Sequence, residues 1–142
     1  MTSIPKESDV VIIGGGIIGV STAYYLAKSG VSVTLVEKGI IAGEQSSRNW
    51  GFVRQQGRDP AEIPTIMRSL ALWKGLSKEL GEDIGFKQAG VFYLANTEEQ
   101  VAGYEDWLKH AKEYQIDSHI VPKTEIQKYI PTNSGGGLAA LR

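Results

Sequence analysis

The sequence predicts an α/β fold: a Rossmann-like dinucleotide-binding βαβ unit followed by the start of an α+β domain. Three observations carry this. A near-continuous apolar run, Asp9-Val10-Val11-Ile12-Ile13, breaks into Gly14-x-Gly16-x-x-Gly19. A stretch with helical spacing follows, and then a second short apolar run ends in an acid at Glu37. An unbroken apolar run of this length reads as a buried parallel strand. The helix after such a turn closes its backbone N–H groups, and its partial positive charge, on a pyrophosphate.

Each glycine of the turn has its own task. Gly14 permits the tight turn, Gly16 leaves room for phosphates, and Gly19 lets helix and strand approach closely. Ile17 and Ile18 fall at the helix start, where their amides face the ligand. Val20, Ala23, Leu26 and Ala27 then form a helical face, and Gly30 sits where a stop belongs. Val31 to Val36 reads as the second strand. Glu37 follows Gly19 at close to the ~20-residue spacing of the acid that binds a ribose hydroxyl. Its carboxylate would repel a 2′-phosphate, which disfavours NADP; NAD and FAD both remain open on the motif alone.

Lys38 to Arg58 shows no sustained period and contains Glu44-Gln45-Ser46-Ser47-Arg48-Asn49-Trp50-Gly51. A connection of roughly 20 residues without structure is uncommon in a compact domain and is usually functional. This one leaves the end of a strand where ligands bind in open α/β sheets. Ser46, Ser47 and Asn49 offer hydrogen bonds, Arg48 a fixed charge, and Trp50 a flat apolar face. Together they suit a diphosphate and an aromatic heterocycle.

Asp59-Pro60 predicts a helix start by cap-then-proline logic, with Pro64 able to move it one turn later. Ile63, Ile66, Met67, Leu70, Trp73, Leu76 and Leu80 make one apolar stripe, read as core, and Gly81 ends it. Arg68, Lys74 and Lys78 read as solvated. Two short strands are expected around Gly90, over Gly85–Ala89 and Val91–Ala95. Asn96-Thr97-Glu98-Glu99 caps a helix continuing to about Tyr114. Ser118–Val121 reads as a strand, Pro122–Ile130 as a short helix stopped by Pro131, Asn133–Gly137 as a turn, and Leu138–Leu141 as a strand beginning.

Composition narrows the function. The 142 residues are 42% hydrophobic and 22% charged, with a net charge of −1, which is ordinary globular usage. Near-neutral charge gives no argument for nucleic acid. No apolar run reaches the ~18 residues of a membrane span, and Met1 to Ser8 lacks the apolar centre of a signal peptide. The cytoplasm is the default location. Zero cysteines exclude a disulfide framework, a thiolate metal site and a cysteinyl cofactor link within this chain. His110 and His119 complete neither a metal set nor a triad, no metal site is expected, and no general base announces itself. Glu105-Asp106 reads as a solvated face.

The segments Gly14–Gly19, Val33–Gly39 and Ser46–Gly51 resemble the FAD-dependent amino acid oxidase family, which includes D-amino acid oxidases and dehydrogenases, glycine oxidase, sarcosine oxidases and hydroxyproline dehydrogenases. Gln88–Ala95 is similar to the family's first substrate-domain hairpin, and Thr124–Pro131 to the short helix after it. The Ser-Ser-Arg-Asn-Trp-Gly loop places the sequence nearest the sarcosine and hydroxyproline branches. The resemblance implies a FAD-binding domain part over residues 1–83 and a first segment of the substrate domain over residues 84–142. It implies that the glycines hold the FAD pyrophosphate, with Ile17 and Ile18 beside them. Glu37 would then take the adenosine ribose and Lys38 would flank the adenine, while Ser46, Ser47, Arg48, Asn49 and Gly51 line the diphosphate and flavin. Arg54 stands near the place of a substrate-carboxylate arginine, with Trp50 nearby. The implied reaction is C–N oxidation of an amino acid or secondary amine by hydride transfer to flavin. It gives an imine, then a keto acid and ammonia or amine. Two other classes compete: a non-catalytic nucleotide-binding subunit of a multichain complex, and an NAD-dependent dehydrogenase. Only two strands of a dinucleotide-binding sheet are evident, so the expectation is a shortened, nicked or split enzyme, with a second polypeptide carrying the rest of the fold.

Overall fold

The computed structural model describes residues 5–131 and 136–142. The chain forms two compact units, one ending at Phe52 and the other running from Val53 to Arg142. The expected boundary at residues 83 and 84 divides the chain by function; these units divide it by packing.

In the first unit, β1 (Val10–Ile13) and β2 (Val33–Val36) pair in parallel, with Val10 opposite Val33 and Ile13 opposite Val36. Parallel neighbours need a crossover, and α1 (Ile17–Lys28) supplies it, packing on both strands. Ser29 caps α1, and Gly30 at φ 84° turns the chain back toward β2. Side chains alternate along β1: Val10 and Ile12 are half-buried, while Val11 and Ile13 are 60% and 88% exposed. The long connection after β2 is not wholly irregular. Gln45–Arg48 makes one helical turn, α2, which buries no residue and so leaves no apolar period to read.

In the second unit, both expected starts of the long helix are used. Asp59 accepts the Ala61 amide at 2.8 Å and opens a 3-10 turn, Pro60–Glu62. The α-helix proper, α3 (Ile63–Leu80), then begins with Pro64 in its first turn, where a missing N–H costs nothing. It ends at Gly81, whose φ of 72° suits glycine. Of the expected stripe only Ile63 is fully buried; Trp73 is half-buried and stacks on Phe86 at 6.0 Å, whereas Met67 and Leu80 are exposed.

The hairpin around Gly90 does not form. Gly85–Ala89 is not a strand, with Gly85 at φ 71° and Gly90 at φ 84°. Instead β3 (Tyr93–Ala95) pairs antiparallel with β5 (Ala139–Leu141), which pairs antiparallel on its other edge with β4 (Ile120–Pro122). The strand read as merely beginning is thus the central one, and all three of its residues are buried. The expected turn at Asn133–Gly137 lies outside the described residues from Asn133 to Gly135; Gly137 has φ 90°.

Helix α4 (Glu98–Glu113) starts as expected: Thr97 Oγ1 accepts the Gln100 amide, and Gln100 Oε1 accepts the Asn96 amide at 2.7 Å. It ends in a Schellman arrangement, with Ile116 N–H bonded to Ala111 O and Gln115 N–H to Lys112 O. Helix α5 (Lys123–Tyr129) follows β4 directly. Val121, Ile126 and Ala140 form the core, with Phe92 and Ile130 packed against it. No helix among the described residues is long and apolar enough to cross a membrane.

Candidate functional site

The first unit gathers half of the sequence-predicted residues, Gly14, Gly16, Ile17, Ile18, Gly19, Glu37 and Ser46, around the turn between β1 and α1. Gly14 lies at φ 108° and donates to Val36 O at 2.8 Å, fixing the turn to the end of β2. A Cβ at Gly19 would fall on the Gly14 carbonyl, within 3.1 Å of its carbon and 3.3 Å of Ile12 Cγ2. That is the close approach expected of the third glycine. A Cβ at Gly16 would meet only Ser46 Oγ, at 3.2 Å.

Glu37 and Ser46 join this turn directly. The Glu37 carboxylate accepts the Gly15 amide at 2.7 Å and the Gly39 amide at 2.8 Å. The Gly15 bond, then the Gly39 bond, holds its carboxyl below the usual range, with the Lys38 amide and ammonium adding to the effect. It therefore stays ionised, and a carboxylate has about four lone-pair sites, enough to accept sugar hydroxyls as well. Ser46 Oγ accepts the Ile17 amide at 2.8 Å, which leaves its own O–H free to donate outward. The donor character of the helix terminus is thus extended by one hydroxyl. The amides of Gly16, Ile18 and Gly19 find no acceptor among the described residues, and the helix terminus carries partial positive charge.

The rest of the loop is organised within itself. Ser47 hydroxyl bonds to Glu44 O, and Arg48 pairs with the Glu44 carboxylate. Asn49 Nδ2 donates to Gln45 O and Ser46 O, while its Oδ1 accepts the Gly51 amide; Gly51 sits at φ 67°. Lys38 is exposed. Trp50 is 88% exposed, edge-on to Phe52 at 6.3 Å.

Arg54 belongs to the second unit. Its Nη1 donates to Gln56 O at 2.9 Å and to the Tyr93 hydroxyl, and its guanidinium lies over the Tyr93 ring at 5.5 Å. Beside it, Gly57, Tyr93, Tyr104, Trp107 and Leu141 line a pocket of about 370 Å³. Burial, with a smaller contribution from Tyr93, pushes the Tyr104 hydroxyl above its ordinary value.

Sequence reasoning missed two residues here. Gln56 is 7% exposed, donates to Val91 O and Leu141 O, and accepts the Ser118 hydroxyl. Ala42, at φ 59°, donates to Gly15 O, so that both backbone groups of Gly15 are held, its amide by Glu37 and its carbonyl by Ala42. A glutamine inside a glycine-containing polar loop carries no local signal of burial. Ala42 precedes Gly43, whose amide closes a turn on Ile40 O, the one hint the sequence offers. No cluster of residues that could hold a metal occurs among the described residues.

Comparison with known proteins gives the family and the fold. Residues 9–142 match the family profile described as DAO, FAD dependent oxidoreductase. The chain is 28% identical over 128 residues to the sarcosine oxidase beta subunit of Rhodobacter capsulatus, covering 89% of this chain and 31% of that protein. It is 41% identical over 104 residues to glycine oxidase of Bacillus subtilis, covering 68% of this chain and 28% of that one. Among solved structures, L-proline dehydrogenase from P. horikoshii superposes with a TM-score of 0.89 at 32% identity, over 97% of this chain and 37% of that chain. The chain thus spans less than a third of the length of the two sequence relatives.

Proposed function

The chain belongs to the FAD dependent oxidoreductase family, its match running through residues 9–142, and from that premise we propose that it is the FAD-holding part of an enzyme oxidising the C–N bond of an amino acid or secondary amine. The observation that carries the reading is the convergence of Glu37 and Ser46 on the glycine turn at the start of α1. The turn fits a dinucleotide: glycine is required by φ at Gly14 and by contact at Gly19, and any side chain at Gly16 would project onto Ser46.

In this reading the turn from Gly14 to Gly19 holds the diphosphate through the amides of Gly16, Ile18 and Gly19, with Gly14 fixing the turn and Ser46 relaying the Ile17 amide. Glu37 accepts the adenosine ribose hydroxyls and Lys38 flanks the adenine. Ser47, Arg48, Asn49 and Gly51 line the diphosphate and flavin. When bound, FAD supplies the two-electron acceptor for C–N oxidation, so no protein nucleophile is required. Trp50 offers a flat face beside the substrate, and Arg54 clamps its carboxylate, fixing the Cα–H for transfer.

The relatives' names support the substrate class. Sarcosine and L-proline are secondary amines bearing a carboxylate, and glycine is the simplest primary one. A relative named as a beta subunit supports a multichain arrangement, with a second polypeptide completing the fold. We assign the reaction to the cytoplasm.

Absorbance tests the reading. Purified protein with its complete fold shows flavin bands near ~450 nm, and anaerobic addition of amino acids bleaches them. Colourless protein that binds ADP-ribose but no flavin overturns it in favour of a nucleotide-binding subunit or an NAD-dependent dehydrogenase. Flavin that no amino acid or secondary amine bleaches overturns the enzymatic half alone.

A further inference from the structure

We propose that Tyr93 is a positioning residue for Arg54: its hydroxyl and the Gln56 carbonyl grip one nitrogen of the guanidinium so that the opposite edge presents two parallel N–H groups to a carboxylate. This rests on the reading of Arg54 as the substrate clamp.

The division of the guanidinium is what points to it. Nη1 makes both of its contacts, to Gln56 O at 2.9 Å and to the Tyr93 hydroxyl. Nε and Nη2, which form the edge that meets a carboxylate two-on-two, have no partner among the described residues. The described ion pairs engage Arg48, Arg58, Lys109 and Lys128, and Arg54 is in none of them. A half-buried guanidinium with three anchored contacts on one side, the ring face at 5.5 Å included, is held without being neutralised.

The grip is itself fixed. Gln56 is tied by its side chain to Val91 O at 3.2 Å, Leu141 O at 2.9 Å and the Ser118 hydroxyl at 2.9 Å, so its carbonyl cannot follow a wandering arginine. Tyr93 is in β3, paired with the buried central strand. Gly57, at φ 66°, lies beside both: a Cβ there would be in ordinary contact, 3.5 Å from Arg54 Nη1 and from the Tyr93 ring. A flexible side chain preset in this way binds its ligand without first losing rotamer freedom.

The test uses the FAD-loaded protein with its complete fold. Tyr93→Phe keeps the ring and removes the hydroxyl. The expected result is a rise of about tenfold in KM for the amino acid, the scale of one hydrogen bond to a charged group, with kcat within about twofold. The Kd of propionate, read from the perturbed flavin spectrum, rises by the same factor, while the KM of the amine lacking the carboxylate does not change. Arg54→Gln raises the KM and the propionate Kd at least 100-fold. If Arg54→Gln does so and Tyr93→Phe changes neither, the positioning role is overturned and the clamp stands. If neither substitution moves the KM, the clamp reading itself fails. An equal effect of Tyr93→Phe on the carboxylate-free amine marks a structural role and overturns the proposal. Should Tyr93→Phe unfold, Tyr93→His retains an acceptor for Nη1: a KM within about threefold of wild type supports the proposal, and a tenfold rise overturns it.

Discussion

Replacing Gly19 by alanine tests the most exacting piece of geometry in the molecule. The added methyl would fall on the carbonyl of Gly14, with its carbon at 3.1 Å and Ile12 Cγ2 at 3.3 Å. Neither neighbour is free to retreat. Gly14 is locked by its φ of 108° and by its bond to Val36 O, and Ile12 is paired within β1. Overpacking against such neighbours costs about 3 kcal/mol, the upper end of the usual range. Alanine returns about 1 kcal/mol, because it is the better helix former. The net loss is about 2 kcal/mol, or roughly 30-fold in the folding equilibrium. Urea unfolding followed by far-UV circular dichroism reads it. Gly103→Ala is the internal control: it too is a helical glycine, but nothing lies within 4 Å of its Cβ position, so alanine there stabilises by roughly 0.5–1 kcal/mol. If Gly19→Ala is also neutral or stabilising, α1 does not approach β1 as described, and the dinucleotide reading loses its geometric basis.

Further outcomes follow from the same structure. The Glu37 carboxyl is lowered on folding, mainly by the Gly15 amide, so its contribution is fully present above the ordinary glutamate value of about 4.3. That contribution is lost as pH falls through the folded value; denaturation midpoints from pH 6 to 3 should therefore decline more gently in Glu37→Gln than in wild type. Gln56→Leu leaves the Ser118 hydroxyl and the Val91 and Leu141 carbonyls without their partner. At about 1 kcal/mol for each bond, thermal or urea unfolding should report a loss near 3 kcal/mol. Gln115, at φ 55° past the end of α4, holds a left-handed conformation costing a non-glycine residue roughly 1–2 kcal/mol. Gln115→Gly should stabilise by about 0.5 kcal/mol once the more flexible unfolded chain is counted, again by urea unfolding.

What was legible in the sequence was local. The glycine turn, the Asp59 and Thr97 caps and the stop at Gly81 each depend on residues within a turn of one another, and each appears where its residues stand. The parallel pair of β1 and β2 was legible too, because the glycine turn and crossover helix announce it. In the second unit pairing depends on distant partners, and the expected hairpin did not form. Val91–Ala95 had the composition of a hairpin arm, but the chain before it, with positive φ at Gly85 and Gly90, offers no extended partner; β3 finds one at Ala139–Leu141 instead. The site divides in the same way. Glu37 and Ser46 announced themselves by position after a strand and within a polar cluster. Gln56 did not, because its burial is imposed by Val91, Ser118 and Leu141, which no window around residue 56 contains.

The apolar run of β1 poses a different question, since it was read as a strand buried on both faces and only one face is covered. Val10 and Ile12 are half-buried, while Val11 and Ile13 face outward at 60% and 88% exposure, with Ile18 at 79% just beyond. Parallel sheets occur almost only with both faces covered, and a two-stranded sheet with one helix does not satisfy that rule. Burying an aliphatic side chain of this size stabilises by roughly 1.5–3 kcal/mol. Covering those three would contribute about 5–9 kcal/mol, as much as the entire stability of many domains. The β1 sequence is therefore an argument, independent of any resemblance, for a second layer over this face: a strand that needed none would have alternated apolar with polar residues. The same covering layer would brace Ile12 and Ile13, immediately before Gly14, against the loss of the turn that Glu37 and Ser46 converge on. Cofactor retention and assembly should consequently rise and fall together.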